Sequence, residues 1–312
     1  MRIAVTSRSF SRHPVLRAEL TSRYPDVTFN DQGLALAGES LIAFLRGHGR
    51  AIIGLEKLDD SAFAALPELK VVSKYGVGFD AIDLEAMTRR GVKLGWTGGV
   101  NRRSVSELVI AFAITLLRHL PAANAELRGG TWRQPVGRQL SDRIVGIVGC
   151  GHVGKDLAVL LRAFGCRVLA HDIRDFPDFY ARHGVRATSL DELLREADVV
   201  TLHLPLDSST RGMLSADRLA LMRPDAILIN TARGEIIDES ALKAVLKTNR
   251  LAAAAFDVFA VEPPRDAELL TLPNFLATPH IGGAAEEAIL AMGRAAIAGL
   301  ESFGDPLAIV KS

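Results

Sequence analysis

The sequence predicts an α/β protein made of two doubly wound parallel-sheet domains. Three observations carry this reading. The chain has 312 residues, about twice a typical domain of roughly 150. Short β-branched or apolar runs alternate with helical stretches along most of its length, the pattern of parallel strands joined by crossover helices. Hydrophobic residues make up 48 % of the chain, enough for a sizeable core in each of two domains.

Taken in order, the candidate strands are Ile3–Thr6, Ala51–Leu55, Lys70–Ser73, Val92–Gly95, Ile144–Val148, Arg167–Ala170, Val199–His203, Ala226–Ile229, Ala252–Phe256 and Phe275–Ala277. The clearest helix starts near Val105. Val105, Leu108, Val109, Phe112, Ala113, Leu116, Leu117 and Leu120 recur at helical spacing. Ser104 and Glu107 form an S-x-x-E capping box before it, and Pro121 stands where it should end. The loop-rich segment Gly95–Asn101 precedes this helix, and a long Ala-rich helix follows Gly282-Gly283. The expected domains are therefore residues 1–99 with 284–312, and residues 100–283, with a ligand site in the cleft between them.

Charge and composition exclude several functions. Lys and Arg total 37 against 36 Asp and Glu, a net charge of +1, which argues against a nucleic-acid partner. Leu108–Leu117, the most apolar run, is about half a membrane span, and the N-terminus lacks the apolar segment of a signal peptide. No membrane association is expected. The two cysteines, Cys150 and Cys166, suggest a reducing compartment, hence a cytoplasmic location. No His, Cys or Asp cluster has metal-ligand spacing, so no metal is expected.

The strand Ile144–Val148 runs into Gly149-Cys150-Gly151-His152-Val153-Gly154 and then into a helix. This is G-x-G-x-x-G in its strand–turn–helix context. Gly149 allows the tight turn, Gly151 the approach of a pyrophosphate, and Gly154 close packing of helix on strand. The N–H groups of His152 and Val153 would face the phosphates. Asp172, at the end of the next strand, lies 18 residues after Gly154. Its carboxylate can accept both ribose hydroxyls and repels a 2′-phosphate, which selects NAD over NADP. Arg174, two residues on, is of the type that accommodates that phosphate. A Rossmann NAD-binding domain follows for residues 100–283. The rival ligand for such a sheet, S-adenosylmethionine, predicts no Arg–Glu–His set downstream.

Such a set is present. Ile229-Asn230-Thr231-Ala232-Arg233-Gly234, Phe256–Pro263 with Glu262, and Ala277-Thr278-Pro279-His280-Ile281-Gly282-Gly283 each end a candidate strand. In open parallel sheets ligands sit beyond the carboxyl ends of strands. Taken singly, Arg233 could be a surface charge, His280 a core histidine and Glu262 a solvated loop residue.

With Lys74-Tyr75-Gly76-Val77-Gly78-Phe79-Asp80 and His203-Leu204-Pro205-Leu206, these motifs make the chain resemble the D-isomer-specific 2-hydroxyacid dehydrogenases over essentially its whole length. The resemblance implies a flavodoxin-like substrate domain beside the Rossmann domain. It implies that Arg233 grips the substrate carboxylate, His280 is the acid–base and Glu262 orients and charges the histidine. It implies that Asp257 contacts the nicotinamide carboxamide and that Leu204, Pro205, Thr210, Thr231, Ala232, Gly282 and Gly283 flank the cofactor. Val77 and Gly78 would help hold the substrate carboxylate. Lys74 stands where phosphoglycerate dehydrogenases carry a basic residue, and Arg102 and Arg103 are further phosphate candidates. His203 would pack against the cofactor loop. The expected activity is NAD-dependent hydride transfer on a D-2-hydroxy acid or 2-oxo acid, with 3-phosphoglycerate in view and no regulatory domain after residue 312. The alternatives are glyoxylate or hydroxypyruvate reduction, and an NAD-sensing corepressor. A homodimer is the expected assembly.

Overall fold

The computed structural model describes residues 1–310. Residues 1–101, with the segment from 286 onward, form one compact unit, and residues 102–285 form the other. These breaks fall two residues beyond the borders read from the sequence.

The first unit carries β1 (Ile3–Val5), β2 (Val27–Phe29), β3 (Arg50–Ile53), β4 (Val71–Lys74) and β5 (Lys93–Gly95) in the order β2-β1-β3-β4-β5. Every pairing in this sheet is parallel, the strand order of flavodoxin-like folds. Both faces are covered. Leu41, Leu45, Phe63 and Met87 pack on one side, and Phe10, Leu16, Leu20 and Ile297 on the other. Near-continuous apolar strands such as Ala51–Ile53 are what burial on both faces requires.

The second unit carries β6 (Ile144–Val148), β7 (Arg167–His171), β8 (Val185–Ala187), β9 (Val199–Leu202), β10 (Ile227–Asn230), β11 (Ala253–Phe256) and β12 (Phe275–Ala277), in the order β12-β11-β10-β9-β6-β7-β8. All pairings are again parallel. This is the dinucleotide-fold order extended by one strand. It reverses between β6 and β9, where ligands of such sheets bind.

The strands β2 and β8 escape the sequence reading for one reason. Both are three-residue edge strands and neither is fully buried, so neither carries the continuous apolar run that marks an interior strand. The capping box is also corrected. The helix runs Arg102–Leu117, so Ser104 lies inside its first turn, and its hydroxyl donates to the Gly282 carbonyl at 2.6 Å. A capping box does form at Ser189 and Glu192, which reciprocally close the start of the helix Leu190–Glu196. Pro121 does not follow the long helix directly. It sits in the first turn of a second helix, Leu120–Arg128, and Leu120 is exposed rather than part of the buried stripe. Among the described residues no single helix is long and apolar enough to cross a membrane.

Leu193 shows how the second unit is held. It is fully buried on the helix Leu190–Glu196, in the cluster formed with Val200, Leu202 and Leu228 of the central strands. Leu193→Ala should lower the unfolding free energy by about 2–5 kcal/mol. Urea denaturation should show a lower midpoint at an unchanged slope.

Candidate active site

The site is assembled from strand ends. After β6 the chain turns through Gly149, at φ +98°, where a Cβ would lie 2.5 Å from the His203 carbonyl oxygen. Gly154 packs the following helix so tightly that a Cβ there would lie 2.2 Å from the Gly149 carbonyl. The helix His152–Ala163 begins at Gly151 without any side-chain cap, and the space beside Gly151 is open. Its first N–H groups therefore face open space suited to an anion. Asp172 follows β7. Its Oδ2 accepts from Cys150 N at 2.6 Å and its Oδ1 from Arg174 N at 2.9 Å. Two main-chain donors thus set the carboxylate against the glycine loop.

At the end of β10, Asn230 laces the loop that carries Arg233. Its Oδ1 accepts from Ala232 N at 3.0 Å, and its Nδ2 donates to the Arg233 carbonyl at 2.9 Å. The Arg233 guanidinium is half-buried and donates to the Ala232 carbonyl at 2.6 Å. Thr231 Oγ1, beside it, is a buried hydroxyl without a hydrogen-bond partner.

At the end of β12, His280 adopts a left-handed backbone with φ +55°, a conformation that costs a non-glycine residue about 1 kcal/mol or more. Asp257, at the end of β11 and 1 % exposed, compensates. Its carboxylate accepts from Thr278 Oγ1 at 2.5 Å, Ile281 N at 2.7 Å and Gly282 N at 2.7 Å, while its carbonyl accepts from His280 N at 2.9 Å. His280 Nδ1 lies 2.8 Å from Glu262 Oε2. The other carboxylate oxygen of Glu262 accepts from Phe259 N at 3.1 Å. An ionised carboxylate can only accept, so Nδ1 carries the proton and Nε2 is left to exchange one with a ligand.

The surrounding groups are electrostatically quiet. Burial pushes the His203 imidazole down to about 3. The ring is thus neutral and bonds Thr201 Oγ1 at 2.9 Å, while the main-chain carbonyl of His203 lies close to Gly149. His152 is held below its usual value by desolvation first and then by Arg102 and Lys155. Burial lifts the thiols of Cys150 and Cys166 to about 11, which suits packing residues rather than nucleophiles.

Several further candidate residues have partners within the fold. The Thr210 hydroxyl donates to the Pro205 carbonyl at 2.8 Å and accepts from Asp207 N at 2.9 Å, so it braces the Leu204–Asp207 loop. Leu204 packs beside Gly149, and Pro205 is exposed. Arg103 forms a bidentate pair with Asp156 at 2.9 Å, a structural link between two helices. In the first unit Lys74 is 4 % exposed, and its ammonium donates to the carbonyls of Gly54 and Tyr75. The Val77 carbonyl accepts from Trp96 Nε1 at 3.0 Å, and Val77 and Gly78 are partly exposed. Asn230 carries no role in the sequence reading. Its signal is positional: an amide closing an otherwise apolar strand, with a loop to satisfy.

Residues 110–282 match the family described as D-isomer specific 2-hydroxyacid dehydrogenase, NAD binding domain. The chain belongs to this family of D-isomer specific 2-hydroxyacid dehydrogenases. It is 38 % identical to the D-3-phosphoglycerate dehydrogenase of Mycobacterium bovis over 233 residues, 74 % of this chain and 44 % of that one. It is 35 % identical to the glyoxylate reductase of Thermococcus litoralis over 242 residues, 75 % of this chain and 73 % of that one. A solved D-isomer specific 2-hydroxyacid dehydrogenase from Polaromonas sp. superposes with a TM-score of 0.87 at 30 % identity, covering 96 % of this chain and 95 % of that one. The chain spans about half the length of the curated phosphoglycerate dehydrogenases it matches.

As in a dehydrogenase of this family, the residues present fit a dinucleotide. The uncapped helix start with open space at Gly151 suits a pyrophosphate, Asp172 keeps spare acceptor capacity for ribose hydroxyls, and the orphaned Thr231 hydroxyl awaits a polar partner. Among the described residues no group of three or more His, Cys, Asp or Glu could hold a metal ion.

Proposed function

We propose that the chain catalyses NAD-dependent interconversion of a D-2-hydroxy acid and its 2-oxo acid, with His280 as acid–base, Glu262 as its partner and Arg233 as the carboxylate clamp. The observation that carries this is the 2.8 Å pair between His280 Nδ1 and Glu262 Oε2. It stands at the same sheet edge as Arg233 and the glycine loop. In oxidation, Nε2 of His280 takes the hydroxyl proton. Bound NAD supplies the acceptor for the hydride. The imidazolium so formed is stabilised by the Glu262 carboxylate, and in reduction it returns the proton to the new hydroxyl oxygen. Arg233 offers two parallel N–H groups to the carboxylate, and the Asn230 bonds keep its main chain fixed.

The family relatives named for phosphoglycerate and for glyoxylate suggest two substrates. The burial of Lys74 favours the second. An ammonium spent on the Gly54 and Tyr75 carbonyls is poorly placed for a phosphate, so a small unphosphorylated 2-oxo acid such as glyoxylate or hydroxypyruvate is preferred. Asp172 supports NAD over NADP. The free thiols support a reducing compartment such as the cytoplasm. Leu120, Leu127, Trp132 and Val136 are 49 %, 56 %, 80 % and 94 % exposed. Four large apolar side chains so close in sequence support a face that pairs with a second copy of the chain.

The decisive test is a panel of 2-oxo acids followed by NADH absorbance. It should show turnover, with glyoxylate or hydroxypyruvate ahead of 3-phosphohydroxypyruvate. Arg233→Lys keeps the charge but loses the fork. We expect kcat/KM to fall at least about a hundredfold with NAD affinity little changed by calorimetry. Asp172→Ser should relax the preference for NAD over NADP by roughly tenfold or more, read as the ratio of kcat/KM for the two cofactors. Trp132→Glu combined with Leu127→Glu should convert a dimer to a monomer in analytical ultracentrifugation.

A further inference from the structure

The Glu262–His280 pair stands on a thin support. Val261 is 55 % exposed, and Ala260, Glu262 and Pro263 are exposed as well. Behind this loop lies a cleft of about 190 Å³ lined by Glu239, Phe259, Val261, Pro264 and Leu269, among others. Side-chain packing therefore does not fix the segment 260–263 from that side. Two main-chain bonds do. Phe259 N donates to Glu262 itself at 3.1 Å, and the next amide, Ala260 N, donates to Glu239 Oε1 at 2.8 Å.

Glu239 is not used elsewhere in its own helix, Glu239–Lys247. The N-cap is Asp238, whose Oδ1 accepts from Ser240 N and Ala241 N at 3.0 Å each. The side chain of Glu239 is thus free to reach across to the loop. The segment that leads to it runs against the same peptide. At Gly234, next to Arg233, a Cβ would lie 1.9 Å from the Phe259 carbonyl carbon and 2.0 Å from Ala260 N. Only a glycine allows this contact. One stretch of chain, 233–239, therefore carries Arg233 at one end and grips the Glu262 loop at the other.

We propose that Glu239 is a positioning residue for the Glu262–His280 pair. By holding Ala260 N it fixes the turn from which Glu262 reaches His280 Nδ1, and so sets how strongly the carboxylate favours the imidazolium. The effect is transmitted through geometry, because what Glu239 holds is a main-chain amide. This rests on His280 being the acid–base proposed above.

Three variants test it. Glu239→Ala removes the acceptor. Glu239→Asp shortens the side chain by one methylene, so that it no longer reaches. Glu239→Gln keeps an acceptor oxygen at the same length without the charge. We expect kcat/KM for the best 2-oxo acid to fall about tenfold in the Ala and Asp variants. NAD affinity should be unchanged, and the alkaline limb of the reductive pH profile should move to lower pH. The Gln variant should stay within about twofold of native. The second readout needs no turnover: NMR titration of the His280 ring in the NAD-bound protein should show its midpoint lowered in the Ala and Asp variants, toward that of Glu262→Gln, and near native in Gln. A native pH profile and ring titration in Glu239→Ala, even with a lower melting temperature, would make Glu239 a loop brace only and overturn the proposal. Equal damage by Gln and Ala would overturn it too, since charge rather than the hydrogen bond would then be responsible. If no 2-oxo acid is turned over, the acid–base reading fails, and the ring titration still decides the role of Glu239.

Discussion

A wholly parallel sheet has all its carboxyl ends on one edge, and the rest of the second unit follows from that constraint. Because β6, β7, β9, β10, β11 and β12 run in register in one direction, six consecutive strand ends deliver the glycine loop, Asp172, His203, Arg233, Asp257 and His280 to the same rim. Residues as distant in sequence as Gly149 and His280 are brought to one rim without any special loop. The reversal of strand order between β6 and β9 opens the crevice beside the glycine loop. The parallel arrangement also demands apolar strands, since both faces are covered by helices, and this is why the polar chemistry is confined to the loops that follow.

Those loops are held by a layer of polar side chains that bond chiefly to the main chain. Asn230 fixes the main chain on both sides of Ala232. Asp257 gathers three donors from the segment 278–282, and the carbonyl of the same residue receives His280 N. Thr210 braces the loop after β9. Each is buried or nearly so, where a satisfied hydrogen bond is stronger and an unsatisfied one costs more than at the surface. The left-handed backbone of His280 is affordable because Asp257 over-determines the turn around it. Glu239 extends the same principle to the more exposed loop that carries Glu262.

Much of this was legible along the chain. β6 and β12 have the bounds that their residues suggest, and the other eight expected strands are displaced by one or two residues at one or both ends. The glycine loop was readable because a strand, three glycines, a helix and an acid at the next strand end leave few other arrangements. What escaped the reading has two physical causes. Edge strands such as Val185–Ala187 are half-solvated and have no apolar signature. The S-x-x-E pattern at Ser104 is a local motif overridden by a tertiary partner, the Gly282 carbonyl, whereas the same pattern at Ser189 meets no such competitor and forms.

The sequence by itself determined the fold class and the dinucleotide loop, because these depend on local periodicity and on residue chemistry at strand ends. Only the tertiary structure decided which main-chain and side-chain groups the polar residues hold within the fold. Lys74, Thr210 and Arg103 look alike as candidate contacts in sequence. Each has partners within the fold: the carbonyls of Gly54 and Tyr75, the loop after Pro205 and Asp156. Hydrogen-bond partners are set by distances between segments far apart in the chain, and a linear pattern carries no record of those distances.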